Sequence, residues 1–362
     1  MFQHSFRKRR VLVTGHTGFK GAWLVQWLLS LGAEVTGLAL APETNPNLFT
    51  LLGLERKISH REVDVRDAAG LLGVVMEARP EVVFHLAAQA LVHRSYQEPK
   101  ATWDVNVGGT INILEALRLV GGTRACVVVT SDKCYENLEQ VWGYRECDPM
   151  GGHDPYSSSK GATELAVASW RSSFFGPGAE LQVATARAGN VIGGGDWSAD
   201  RIVVDFVRSI INGRPLLLRN PSATRPWQHV LEPLSGYLSL AHHLLLPEGH
   251  RWAEGWNFGP VEDSVVTVEN LAHALVNAWG EGEINIETQS SHPHEANLLK
   301  LDCSKARDLL RWHGAWGFQD TVRNTTHWYR GVHNGVDPES LTLDQISAYH
   351  QAARDAGLPW AF

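Results

Sequence analysis

Two short clusters carry the groups that could move protons. One is Tyr156-Ser-Ser-Ser-Lys160, in which a phenol and an ammonium stand four residues apart. At a helix start this spacing turns both to one side, with their Cα atoms roughly 6 Å apart. A tyrosine, with a reference pKa of about 10, is a poor base at neutral pH. A neighbouring ammonium and a positively charged ligand ring favour the phenolate, so that Tyr156 can take the proton of an alcohol. The other cluster is Ser131-Asp132-Lys133, directly after the apolar run Ala125–Thr130. Ser131 can hydrogen-bond the same hydroxyl and its developing oxyanion. Simple alcohol oxidation needs neither Asp132 nor Lys133. Loss of water needs both kinds of group, a base for a proton beside a new ketone and an acid for the departing hydroxyl. Burial lowers a lysine's affinity for its proton and suits it to the base role. Each cluster also has a reading without chemistry, a helix-surface pair in one case and a salt-bridged turn in the other.

The elements that must position these groups begin at residue 10. Arg10–Thr14 is a β-rich apolar run, Gly15, Gly18 and Gly21 follow with the spacing G-x-x-G-x-x-G, and a leucine- and tryptophan-rich helical stretch comes next. Strand, glycine turn and helix in this order form the first half of a dinucleotide-binding βαβ unit. Such glycines permit a tight turn, a close approach of backbone to pyrophosphate and close packing of helix on sheet, while free N–H groups at the helix start bind phosphate. The second strand, Glu34–Leu40, ends in GLALAP without the usual carboxylate for the ribose and without an arginine for a 2′-phosphate. NAD is therefore preferred to NADP, with the ribose contact unassigned. Asp64, in the short strand Glu62–Val65, is either a contact at the adenine end or a solvated turn carboxylate.

Further along, Asp67–Arg79 reads as a capped helix, Val82–Leu86 as a buried strand running into Ala87, and 99–120 as one helix interrupted at Asn106, Gly108 and Gly109. Ala125–Thr130 is apolar throughout, as in a strand covered on both faces. Leu181–Ala188 is another strand. The alternation predicts an α/β fold, a doubly wound parallel Rossmann sheet, with active groups beyond the carboxyl ends of its strands. From about residue 193 the rhythm breaks. Residues 1–190 are expected to form the cofactor domain, with returns near 228–262, and 191–362 mainly a smaller mixed α/β substrate domain. Helices are expected at Arg201–Asn212, Pro233–Leu246, Thr267–Gly280, Ser304–Leu310 and Gln319–Arg330, with His242-His243 on a helix surface and His292-Pro-His294 in a turn. Arg225, between Thr224 and Pro226-Trp227 in a polar loop, is the arginine best placed to hold a diphosphate.

The 362 residues are 44% hydrophobic and 20% charged with a net charge of −7, ordinary for a soluble enzyme and unlike a general nucleic-acid binder. Four cysteines without a C-x-x-C pair read as reduced thiols in a cytoplasmic protein. No secretory leader is expected, and Gly32 and Glu34 break the one stretch resembling a membrane span. Seventeen histidines show no metal-ligand spacing, so no metal is expected.

With VTGHTGFKGAWL (13–24), SDKCYEN (131–137), DPYSSSKGATE (154–164), RAGNVIGGGDWS (187–198), RPWQHVLEPLSGYL (225–238) and WNFGP (256–260) in view, the chain resembles the extended short-chain dehydrogenase/reductase family. Within it the chain is most similar to the CDP-glucose 4,6-dehydratases. Relatives acting on dTDP-glucose have Asp-Glu where this chain has Asp132-Lys133. The resemblance implies tightly held NAD on Gly15, Gly18, Phe19, Gly21, Asp64, Ala87, Tyr156 and Lys160. It implies that Tyr156, assisted by Lys160 and Ser131, takes the glucose 4-hydroxyl proton. Lys133 then removes the C5 proton as Asp132 protonates the leaving 6-hydroxyl. His93, Asn190, Trp197, Arg201 and Arg225 would hold the CDP-glucose. A homodimer through the helices at 99–120 and 156–174 is also implied. A sugar-nucleotide 4-epimerase would share Tyr156, Lys160 and Ser131 without needing Asp132 and Lys133, and a non-catalytic NAD-binding scaffold is the reading from another class.

Overall fold

The computed structural model describes residues 1–260, 264–286 and 298–362. The first half alternates strictly: β1 (Arg10–Thr14), α1 (Phe19–Ser30), β2 (Glu34–Ala39), α2 (Leu48–Leu51), β3 (Ser59–Glu62), α3 (Ala68–Ala78) and β4 (Val82–His85). Short helices α4 (Val92–Gln97) and α5 (Pro99–Trp103) lead through a wide helical turn, Asp104–Gly108, into α6 (Gly109–Val120) and β5 (Ala125–Val129). The long α7 (Pro155–Phe174) and β6 (Gln182–Ala188) complete this half. Beyond it come β7 (Val191–Ile192), α8 (Ile202–Ile211), β8 (Leu216–Leu218), β9 (Thr224–Pro226), β10 (Gln228–His229), α9 (Leu231–Leu244), β11 (Gly255–Phe258), β12 (Val265–Thr267), α10 (Val268–Trp279) and β13 (Ile284–Ile286). Helices α11 (Ser304–Leu309), α12 (Phe318–His333) and α13 (Pro338–Asp355) close the chain.

Seven parallel strands pair in the order β11-β6-β5-β4-β1-β2-β3. Strand side chains alternate between two cores. Val11, Val13, Val82, Phe84, Val127 and Ala184 face one layer, while Leu12, Val83, Cys126, Val128 and Val183 face the other. Coverage on both faces explains why β5 reads as an unbroken apolar run in sequence. Strand order reverses at β1 and β4, which puts the crevice for a ligand beyond their carboxyl ends.

Local chemistry sets the helix ends. Asp67 Oδ1 accepts from Gly70 N at 3.0 Å and starts α3, a cap worth about 1 kcal/mol. Asp154 accepts from both N and Oγ of Ser157, with Pro155 at the first position of α7. The helix expected over 99–120 is helical throughout, with one widened turn at Asp104–Gly108, where Asn106 and Gly108 interrupt its apolar face. The strand expected at Glu62–Val65 lies earlier, at Ser59–Glu62, so Asp64 falls in the turn after it.

Two other expectations are corrected. His242 is buried in α9, its ring bonded to Ser5 Oγ at 2.6 Å, instead of lying on a helix surface. Helix α9 packs between the sheet and the amino-terminal turn, and a helix so enclosed buries its polar residues as well. Helix α13 was absent from the sequence reading because its outward face is polar and dilutes the apolar period. It nevertheless buries Leu341, Thr342, Gln345, Ile346, Tyr349 and Ala353, starts on the Asp337 cap, and packs against α1. Tyr349 stacks on Trp360, which stacks in turn on Phe2, so both ends of the chain meet.

This seam holds a buried acid. Glu232 of α9 accepts from Tyr349 Oη at 2.7 Å and from Trp316 N at 2.8 Å. Burial pushes its carboxyl up to about 7, against those hydrogen bonds. A carboxyl raised in the folded state keeps a proton that the unfolded chain loses near pH 4.5, so folding is favoured most at low pH. Unfolding in urea should therefore show stability lost between pH 4.5 and 7, about 3 kcal/mol from this group. Glu232→Gln should flatten that slope; an unchanged slope would assign it to other groups.

Candidate active site

Helix α7 turns Tyr156 and Lys160 inward, and they are only 7% and 5% exposed. A surface pair is thereby excluded. Lys160 Nζ donates to the carbonyl of Val129, the last residue of β5, at 3.3 Å. The next residues are Thr130 and Ser131, so the helix start and the strand end meet at one place. Ser131 caps a short turn over Asp132–Cys134, accepting from Lys133 N at 3.2 Å and donating to Asp132 Oδ1 at 3.0 Å. Asp132 is buried and Lys133 half-buried. Behind them Gly189 passes so close that a Cβ there would stand 2.9 Å from Asp132 Oδ2.

The electrostatics separate the groups by role. Burial raises the Asp132 carboxyl, and the charges of Lys133 and Lys20 and the Ser131 hydrogen bond only partly offset it. A carboxyl so placed holds a proton more readily than a solvated one and can give it away as a general acid. Burial lifts the Tyr156 phenol to about 12, against the Ser131 hydroxyl and the Arg201 charge. Lys160 is lowered to about 8 by burial and by the Lys20 charge, with Glu164 and Cys134 opposing.

The glycine turn follows its expected geometry. Gly15 has φ +73°, and a Cβ there would stand 2.7 Å from Ala87 N, which is how the turn after β1 reaches the end of β4. Gly21 packs the first turn of α1 on the Gly15 carbonyl, where a Cβ would stand 2.2 Å away. Gly18 is the exposed N-cap of α1, and no side chain caps the helix. The first N–H groups of α1 thus point to the crevice without a side-chain acceptor, a donor set suited to a pyrophosphate. Phe19, half-buried, closes this turn against Gly193. Lys20, in the same turn, is not among the residues expected from the sequence. Its ammonium is lowered to about 8 by burial and by the Arg201 charge, with Asp132 and Asp196 opposing, so it belongs to the site. A charged residue between two motif glycines, where the helix should be apolar, was the available signal.

The remaining residues divide. Asn190 follows β6 and Gly189, and its carbonyl accepts from Gln228 N at 3.2 Å. Arg201 caps α8 and its charge reaches Tyr156 and Lys20. Trp197 meets the Tyr329 ring edge-on at 5.3 Å and buries its indole N–H without a hydrogen-bond partner. Arg225 lies on β9, paired antiparallel with β12, and donates to the Thr224 carbonyl at 2.9 Å. His93 is exposed on α4. Asp64 is ion-paired to Arg66 at 2.5 Å, which holds its carboxyl below the usual range. Among the described residues no three His, Cys, Asp or Glu side chains converge as a metal site, and none of the described helices is long and apolar enough to cross a membrane. His292 and His294 lie outside the described residues.

A family model described as GDP-mannose 4,6 dehydratase matches residues 12–325. A CDP-glucose 4,6-dehydratase of Salmonella typhimurium is 47% identical over 95% of this chain and 97% of its own length. The chain belongs to the sugar-nucleotide dehydratases of the extended short-chain dehydrogenase/reductase family. Solved structures show the same fold in this family. A dTDP-glucose 4,6-dehydratase from Streptomyces venezuelae with NAD bound superposes with a TM-score of 0.77 at 22% identity, covering 91% of this chain and 99% of that one. The UDP-glucose 4-epimerase of Thermus thermophilus, solved in complex with NAD, gives 0.76 at 27% identity over 89% and 99%. The fold is thus shared between dehydratases and epimerases.

Proposed function

We propose that this chain is an NAD-dependent CDP-glucose 4,6-dehydratase, converting CDP-glucose to CDP-4-keto-6-deoxyglucose and water. The observation that carries this reading is the buried Asp132 and adjacent Lys133 at the end of β5, beside Tyr156 and Lys160, in a chain 47% identical to a protein of that activity. When bound, NAD would accept the C4 hydride and return it to C6 after water is lost, with a proton going to C5, and would place a positive charge beside the phenol. Tyr156 takes the proton of the sugar 4-hydroxyl, and Ser131 holds the oxygen as charge develops on it. Lys160 holds the strand end and adds a cation to the pocket. The ketone at C4 acidifies C5–H; Lys133 removes that proton while Asp132 donates one to the departing 6-hydroxyl. Gly15, Gly18, Phe19, Gly21 and Ala87 form the cofactor cradle. Asn190, Arg201 and Arg225 hold the sugar nucleotide, with Trp197 assigned to the same ligand; His93 is assigned to the rim.

Residues 1–190 with the returning segment 228–262 serve the cofactor and the rest of 191–362 the substrate, a division supported by the pairing of β11 with β6. A homodimer through α5, α6 and α7 is supported by Trp103, Leu119, Leu165 and Phe174, large apolar side chains left exposed on those helices. A cytoplasmic setting is supported by four free cysteines.

Incubation with CDP-glucose in D₂O tests the reaction. The expected product carries deuterium at C5, a 4-ketone and a 6-methyl group. A 4-epimer with no solvent deuterium would replace the dehydratase with the epimerase, and no product at all with NAD bound would leave the scaffold.

A further inference from the structure

Beneath the catalytic groups lies a buried charge pair that the reaction itself does not use. Glu164 and Arg187 are 4% and 5% exposed and meet through two bonds, Nη2 to Oε2 at 2.8 Å and Nε to Oε1 at 2.9 Å. The remaining lone pairs of the carboxylate accept from Thr130 Oγ1 and from Thr185 Oγ1, the latter at 2.6 Å. Arg187 Nη1 donates to Tyr135 Oη at 2.6 Å, and that hydroxyl donates to Asn257 Oδ1 at 2.8 Å. Strand β11 makes room for this arrangement, since a Cβ on Gly255 would stand 2.4 Å from Arg187 Nη2.

The pair touches the site from three sides. Thr130 immediately precedes Ser131, Tyr135 follows the Asp132–Cys134 turn, and Arg187 stands two residues before Gly189, which backs Asp132. Glu164 is four residues after Lys160 on α7, so the carboxylate lies one turn from the ammonium on the same buried face. A buried ion pair is seldom a net source of stability, because desolvation offsets most of its attraction. Its placement therefore calls for another account. We propose that Glu164 is a positioning residue of the active site, tying the Ser131–Lys133 strand end to the helix that carries Tyr156 and standing as the buried counter-charge of the Lys160 ammonium. This rests on the role given above to Lys160.

The groups that bear on Lys160 are few. Lys20 of α1 opposes its charge, while Glu164 and Cys134 favour it. His85 of β4 is kept neutral by burial and by Lys160 itself, its ring lowered to about 3. Burial would raise Glu164, but Arg187 and the two threonine hydroxyls overcome it and hold the carboxyl below its usual range, so Glu164 carries its charge at neutral pH. Removing that charge should make Lys160 lose its proton at lower pH.

The test is the pH profile of kcat for CDP-glucose with NAD-loaded enzyme. Glu164→Gln should move the basic limb about one unit toward acid and lower kcat about tenfold on that limb, with KM within about threefold. Glu164→Asp, which keeps the charge, should restore the limb. If the glutamine variant fails to fold because Arg187 is left unpaired, Glu164→Gln/Arg187→Met removes both charges and should move the limb in the same direction by a smaller amount. A folded variant of either kind with the parent profile and only a lower melting temperature would overturn the proposal. Lys160→Met run beside them separates the two readings. Full turnover by that variant would remove Lys160 from the site, whereas an inactive variant with an unmoved Glu164→Gln profile would remove only Glu164.

Discussion

Tyr156→Phe is expected to lower turnover of CDP-glucose by about 10³-fold while leaving NAD binding and folding close to the parent. Loss of a positioned general base costs on the order of 10²–10⁴-fold. The substitution deletes one oxygen and keeps the ring in its buried place at the start of α7. The proposed cofactor cradle, Gly15, Gly18 and Gly21, lies on a different element and should be undisturbed. The phenol stands at about 12 in the chain alone, and Ser131 and Arg201 are the groups that draw it down. In the proposed reaction the positive charge of bound cofactor would draw it down further. Single-turnover measurement with cofactor content assayed in parallel checks this. A variant within tenfold of the parent would remove Tyr156 from the base role.

Lys133→Ala should separate oxidation from loss of water. The first proton transfer is the one proposed for Tyr156 and should persist, so the variant is expected to form the 4-ketone of CDP-glucose. It should not take up deuterium at C5, and the 6-deoxy product should appear about 10³-fold more slowly. Lys133 is half-buried in a turn whose backbone is already fixed by Ser131, so the fold should tolerate its truncation. Trapping with borodeuteride reports the ketone, and the C5 proton signal reports exchange. Exchange at the parent rate would place the base elsewhere in the pocket, with Lys20 the next group to substitute because its charge bears directly on Asp132.

Much of this site was legible in the chain because its parts are local. A glycine turn, a Tyr–Lys pair four apart and three consecutive residues after an apolar strand each keep their meaning without knowledge of the rest. Period-two and period-3.6 patterns likewise gave most strands and helices, because α/β layers bury one predictable face of each helix and both faces of each strand. What failed was set by distant neighbours. His242 is buried because α9 is enclosed on all sides, and α13 forms because Tyr349 finds Glu232 and Trp360. Asp64 lies in a turn because β3 pairs three residues earlier than its own alternation suggested.

By itself the sequence determined the groups at hand: a glycine turn at a helix start, a phenol with an ammonium four residues on, and an acid and a lysine after a central strand. These follow from residue type and short spacing, which fix reach and periodicity. Only the tertiary structure decided that Tyr156 and Lys160 are buried and meet the end of β5, that Lys20 and Arg201 lend their charge to the same pocket, and that Glu164 and Arg187 lie beneath it. Burial and charge proximity between segments far apart in the chain arise when the sheet order and helix packing bring those segments together.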